Sequence, residues 1–141
     1  MHPHRPISMR PSVWGPILWN TMHIISLGYP DDPSSDMQQA ASSFYRSLSS
    51  LIPCPICRQH YANHLKLTPP ATESKKALVE WVWMIHNKVN VDIGKLEVGF
   101  DAFMNHMESL SQESSISIHM ITGLCTGIAL SAFVYFIILR K

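Results

Sequence analysis

Cysteine is scarce in this chain: three residues among 141. That scarcity excludes a secreted scaffold in which many bridges stand in for a core. Charge is also sparse and nearly balanced, with 15% charged residues and a net charge of +1. No basic patch and no interleaving of basic and aromatic residues is present, so no nucleic-acid partner is expected. The opening Met1-His2-Pro3-His4-Arg5-Pro6 is polar and proline-rich, with no apolar segment behind it that would read as a secretory leader. Alternating strand patterns, internal repeats and low-complexity tracts are missing as well. The length supports one small domain, and these absences make it helical.

Charge vanishes altogether in one place. Ile116 to Leu139 contains no Asp, Glu, Lys or Arg and is followed by Arg140-Lys141. At 1.5 Å per residue such a run is long enough to cross a hydrocarbon layer of about 30 Å, and too long for the core of so small a domain. A transmembrane helix over 116–139 is therefore expected, with Cys125 as an inert apolar filler inside it. A single span close to the C-terminus reads as a tail anchor, which leaves the preceding domain on the cytosolic side. The basic pair beyond the span points weakly the other way, but moving a folded domain across a membrane without a leader is the harder route. The sequence then divides into a flexible segment over 1–11, a helical domain over 12–112, and the span.

Apolar periodicity divides the domain into helices. The first is predicted from Ser12, as N-cap, to Leu27, with Trp14, Leu18, Met22 and Ile25 facing inward. A Gly- and Pro-containing loop leads to a second over Asp36 to Leu51, with Ala40, Phe44, Leu48 and Leu51 on one stripe. Pro53 and Pro55 break the chain, and Pro55 suits the first turn of a third helix ending near Leu65. A fourth runs from Thr72 or Ser74 to Val91, carrying Leu78, Trp81, Val82, Ile85 and Val89. A shorter fifth spans Val98 to Leu110. The fold class is all-α: a four-helix bundle plus a short fifth helix, then the span.

The chemistry concentrates in Pro53-Cys54-Pro55-Ile56-Cys57-Arg58-Gln59-His60. Two cysteines three positions apart at a helix start form a dithiol that can open and close as a disulfide. The N–H groups and dipole of the helix terminus lower a thiol pKa there. Taken alone, Cys-x-x-Cys also serves structural bridges and zinc sites. His60 and His64 would complete a zinc set only at an unusually short spacing, so no metal is expected. Helical spacing places Trp83, His86, Asn87 and Asn90 on one face of the fourth helix, and Trp19 and His23 on one face of the first. Aromatic, imidazole and amide groups gathered near a cysteine pair suit a flat polar ligand.

Trp14-Gly15 with Trp19 and His23, Cys54-Pro-Ile-Cys57 with His60, and Trp81 with His86-Asn87-Lys88-Val89-Asn90 and Gly94-Lys95 together resemble the FAD-linked sulfhydryl oxidases of the Erv/ALR family, the virus-encoded type above all. The resemblance covers about residues 12 to 96. It implies a four-helix bundle with a short fifth helix around FAD. It also implies a thiol oxidase that makes disulfides in protein substrates and passes the electrons to oxygen, giving hydrogen peroxide. Cys57 would be the flavin-facing cysteine and Cys54 the exchange cysteine. Trp14, Gly15, Trp19, His23, His60, Trp81, His86, Asn87, Val89, Asn90 and Lys95 would line the cofactor.

Pro16 stands where the family often has a basic residue, and Ile52 where it has a cofactor-contacting aromatic. No second cysteine pair is present to act as a shuttle. The resemblance therefore implies that a dithiol protein, including a small separate thiol carrier, reaches Cys54 directly. It also implies a homodimer through the first helices, held at a host-cell or virion membrane by the span. Two other readings remain open on the residues alone. One is a flavin-free thiol–disulfide exchanger, the other a non-enzymatic helical module whose cysteines are structural or hold zinc.

Overall fold

The helix boundaries follow from local capping chemistry. The computed structural model describes residues 10–112. Helix α1, Pro11–Leu27, starts at a proline rather than at Ser12, with Arg10 in the N-cap position and no side-chain cap. Proline at the first helical position has no N–H to leave unsatisfied and a torsion already suited to the helix, so it outranks Ser12 as the start. Helix α2, Ser35–Leu51, is capped by Ser34, whose hydroxyl accepts from the Met37 N–H. Helix α3, Pro55–Leu67, has Cys54 itself as N-cap and Pro55 in its first turn. Helix α4, Lys75–Asp92, begins at Ser74, whose hydroxyl accepts from the Ala77 N–H.

The end of α4 is built around Gly94. The Lys95 N–H reaches the Asn90 carbonyl at 2.8 Å and the Gly94 N–H reaches Val91 at 3.0 Å. This double closure requires a left-handed residue between the helix and the outgoing chain. Gly94 supplies it with φ 72°.

Helix α1 packs on α4, α2 on α3, and α3 on α4. The core between them holds Met22, Tyr45, Leu48, Tyr61, Leu65, Leu78, Trp81, Val82 and Ile85. The fourth-helix stripe lies where periodicity placed it, but two others are rotated. Ile25 is exposed while Ser26 is buried, its hydroxyl donating to the His23 carbonyl at 2.8 Å. On α2 the buried stripe is Ala41, Tyr45 and Leu48, continued by Ile52, whereas Ala40 and Leu51 face outward.

The reason for the α2 rotation is a pair of buried phenols. Tyr45 donates to the Met22 carbonyl of α1 at 2.9 Å, and Tyr61 of α3 donates to the Tyr45 carbonyl at 3.0 Å. A phenol enters a core only when its hydroxyl finds an acceptor, so these bonds decide which side of α2 turns inward. Burial raises both hydroxyls well above their ordinary pKa, which keeps them protonated donors.

This bundle belongs to a unit that ends at Val98, and a second unit begins at Gly99. Helix α5, residues 100–112, lies in the second unit and starts after the expected Val98. Val98 is withheld from it because the Asn87 side chain takes both its N–H and its carbonyl. The expected membrane span over 116–139 and most of the segment over 1–11 lie outside the described residues. Among the described residues no helix is long and apolar enough to cross a membrane.

Two substitutions test these bonds. Tyr45→Phe keeps the ring and removes the donor, and should lower unfolding stability by about 1 kcal/mol in a urea titration. Gly94→Ala forces a β-carbon into the left-handed region and should cost about 1–2 kcal/mol in the same assay. An unchanged midpoint in either case would remove the role given to that residue.

Candidate active site

The cysteine pair is positioned by the turn between α2 and α3. Ile52 and Pro53 end α2, and Pro55 restarts the helix, so Cys54 is left with extended backbone at the N-cap. Cys54 and Cys57 are joined in a disulfide, their α-carbons 5.2 Å apart. The Cys57 N–H donates to Cys54 Sγ at 3.3 Å, in the way a serine hydroxyl would be served at an N-cap. One residue on, Arg58 folds back and donates from Nη1 to the Ile52 carbonyl at 2.8 Å, fastening the approach to Cys54. Cys57 packs against the core cluster, which Trp14, Leu18 and Trp19 of α1 also flank.

Between α1 and α4 lies a group of aromatic and imidazole rings. Gly15, Trp19 and His23 follow one another at four-residue spacing along one face of α1. Trp19 stacks on His86 of α4 with ring centres 4.1 Å apart and planes 6° from parallel. His23 Nε2 and His86 Nδ1 share a hydrogen bond of 3.0 Å. One ring must donate and the other accept, so at least one must be neutral. Burial, reinforced by the nearby Lys95 charge, pushes His86 down to about 4. Lys95 is held there by the Gly94 closure, whose last bond is made by its own N–H.

The other expected residues are placed differently. Trp81 is buried in the core, edge-on to Tyr45, and its indole N–H donates to the Thr68 carbonyl at 3.1 Å. Asn87 is buried and spends both ends of its amide on Val98, which also accepts from the Trp83 indole at 2.7 Å. Trp83, Asn87 and Val98 therefore form a strap that fixes the chain leaving α4. Asn90 is buried, and its carbonyl receives the Lys95 N–H; Val89 is half-buried beside it. His60 lies on α3 facing Asp92, at 3.7 Å, and His64 meets the same carboxylate at 2.7 Å. Both histidines thus meet the last residue of α4. Among the described residues no three His, Cys, Asp or Glu side chains gather as a metal ligand set.

Two features mark the α1 side as a place where a flat ligand fits. The Trp14 indole N–H is buried and has no hydrogen-bond partner among the described residues, a costly state that an acceptor on a ligand would relieve. A β-carbon at Gly15 would meet nothing within 4 Å, so the backbone there is open to close approach. Arg58 and Asp92 were not among the expected site residues. Arg58 carries no sequence signal, because its partner is created by the turn, whereas the ion-pair spacing of Asp92 with α3 exists only in the folded bundle.

A helical bundle that presents a redox-capable disulfide at a helix N-terminus, beside a cluster of aromatic and imidazole side chains, defines a class of thiol-chemistry domains. The chain belongs to the Erv1 / Alr family, whose pattern it matches over residues 16–109. It is 38% identical over 90 residues to a protein of Acanthamoeba polyphaga mimivirus named a probable FAD-linked sulfhydryl oxidase, spanning 62% of this chain and 63% of that one. It is 31% identical over 81 residues to the FAD-linked sulfhydryl oxidase ERV1 of Oryza sativa, covering 57% of this chain and 42% of the relative. The chain thus spans less than two thirds of the length of either relative. The fold is similar to the crystal structure of the FAD binding domain of Erv1 from Saccharomyces cerevisiae, with a TM-score of 0.68 and 22% identity, covering 72% of this chain and 97% of that one.

The histidine contact has a pH signature. His86 has a folded value of about 4 against an ordinary 6.5, so the unfolded chain binds more protons between those values. Its contribution is complete above pH 6.5 and is lost as pH falls towards 4. Denaturant midpoints of wild type and His86→Gln should therefore differ most above that window and converge below it. A constant difference across the range would contradict the assignment.

Proposed function

We propose that this protein is an FAD-dependent thiol oxidase of the virus-encoded type, forming disulfides in dithiol protein substrates with oxygen as the final acceptor. The observation that carries this reading is the Cys54–Cys57 disulfide at the α3 N-terminus, with Cys57 packed against the same cluster as Trp14 and Trp19. The names of the viral and plant relatives support it, as does the fit of the α1 side to a flat ligand.

The protein's own residues account for the thiol chemistry. A substrate thiolate attacks Cys54 Sγ, the Cys54–Cys57 bond breaks, and Cys57 leaves as a thiolate. The second substrate thiolate then attacks the substrate sulfur of this mixed disulfide and expels Cys54. The substrate leaves as a disulfide, and the pair Cys54 and Cys57 holds two electrons and, after protonation, two protons. Cys54 is suited to be the departing group because the Cys57 N–H and the α3 terminus stabilise its thiolate. FAD, when bound, would take the electron pair from the dithiol and deliver it to oxygen, which leaves as hydrogen peroxide.

Trp14, Trp19, His23, His86 and Lys95 would hold that group. Trp19 offers a flat face, the Trp14 N–H an unspent donor, His86 a neutral ring, and Lys95 a cation for a phosphate. Asn87 contributes indirectly by strapping the segment that follows Lys95.

The protein is further proposed to act as a homodimer through α1, where Val13, Ile17 and Ile24 lie exposed along one side. Its place would be a host-cell or virion membrane, with the span over 116–139 as anchor and the catalytic domain on the cytosolic side. No shuttle cysteine pair is present in the sequence, so a separate thiol carrier would meet Cys54 directly.

Oxygen uptake with dithiothreitol tests the activity. Cys57→Ser should reduce it to background while the yellow cofactor stays bound; undiminished uptake would defeat the assignment. Removing Ile116 to Lys141 should shift the protein from the membrane pellet to the supernatant, and a truncated chain that still pellets would contradict the anchor.

A further inference from the structure

Four apolar residues surround the redox disulfide without contributing to the core. Leu51 closes α2 and is 69% exposed, and Ile56, between the two cysteines, is 68% exposed. Pro53 and Pro55 lie exposed on either side of Cys54. Ile52 does the opposite and is buried, its carbonyl taken by Arg58. The turn is therefore already anchored, and Leu51 and Ile56 are not needed to hold it. Large aliphatic side chains left in water cost the folded state favourable burial, and here they frame the one sulfur that a substrate must reach.

The charged side chain shown at the turn is basic: Arg58, one residue beyond Cys57, bonds the Ile52 carbonyl. No Asp or Glu occurs in the sequence from residue 37 to residue 72. Asp92 of α4, a carboxylate that reaches α3, is engaged by His64 at 2.7 Å. The bonding partner of Arg58 Nη1 is a neutral carbonyl rather than a carboxylate.

We infer that Leu51, Pro53, Pro55 and Ile56 form the docking surface for the substrate, a protein segment whose reactive cysteine is flanked by a large apolar residue with a carboxylate close by. The inference rests on the thiol-exchange reading. The attacking sulfur has to lie against Cys54, so the residues next to it in the substrate are laid over Leu51 and Ile56. Apolar contact adds affinity at that point, and the Arg58 charge selects acidic over basic neighbours. No long groove is required: covalent capture at Cys54 needs only a short, weak, correctly signed encounter.

A trapping assay that needs no cofactor tests this. The full chain carrying Cys57→Ser and Cys125→Ser presents Cys54 as its one thiol. Two short peptides are prepared as mixed disulfides with 5-thio-2-nitrobenzoate, one with leucine and glutamate beside the cysteine, the other with serine and lysine. The Cys54 thiolate attacks the peptide sulfur, the peptide–Cys54 disulfide forms, and the coloured thiolate leaves. Each rate is divided by that peptide's rate with a small thiol. The leucine–glutamate peptide should react about tenfold faster, the order expected from burying part of one large aliphatic side chain. Adding Leu51→Ser and Ile56→Ser should remove most of that preference, leaving the smaller part due to charge, without slowing capture of the free reagent dithiobis-nitrobenzoate. Equal rates for the two peptides, or a preference undiminished by both substitutions, would overturn the docking surface. Because no flavin takes part, either result is separate from failure of the oxidase reading, which would show as a protein that binds no FAD.

Discussion

Everything proposed for the disulfide depends on how α3 is fixed to the rest of the bundle, and two buried phenols do this. Tyr45 and Tyr61 place one hydrogen bond each on carbonyls already inside helices, linking α3 to α2 and α2 to α1 in series. Each bond is modest by itself, but leaving a buried hydroxyl unpaired costs more than the bond contributes, so the geometry is enforced by the alternative. With α2 fixed in rotation, its last turn delivers Ile52 inward and Leu51 outward. The same rotation that seals the core exposes the apolar collar around Cys54.

The second junction, between α1 and α4, is polar where most bundle contacts are apolar. His23 and His86 meet across it and Trp19 covers His86. Such a contact requires that at least one of the two rings be neutral, and burial together with the Lys95 charge favours neutrality at His86. Lys95 owes its position to a glycine with positive φ, which turns the chain at the end of α4. Trp83 and Asn87 secure the segment that follows. A backbone conformation available to glycine thus bears on the protonation of a histidine two turns earlier.

Much of this could be read before any coordinates. The helical class, the break at Pro53 and Pro55, the placement of Cys54 at a helix start, and the Trp19–His23 face all follow from spacing and from proline's missing donor. What could not be read has common causes. Ala40–Ala41 and Phe44–Tyr45 are adjacent apolar pairs, so periodicity cannot choose between faces one residue apart; the acceptor for the Tyr45 hydroxyl decides. Ser12 carried a stronger cap signal than Arg10, but Pro11 fits the first helical position better. Asn87 was legible as a polar residue on the right helix, yet its partner is the backbone of Val98, which no pattern in α4 announces. Arg58 reaches a carbonyl exposed only once the turn has formed.

The central claim is that the disulfide and the ring cluster beside it serve one bound flavin. The most direct test is the visible absorption spectrum of the purified full chain, first without air while a dithiol is added, then after air is admitted. The account predicts a flavin spectrum that bleaches with the dithiol and returns with oxygen. A folded protein that is colourless, or one whose flavin is untouched by the dithiol, would contradict it.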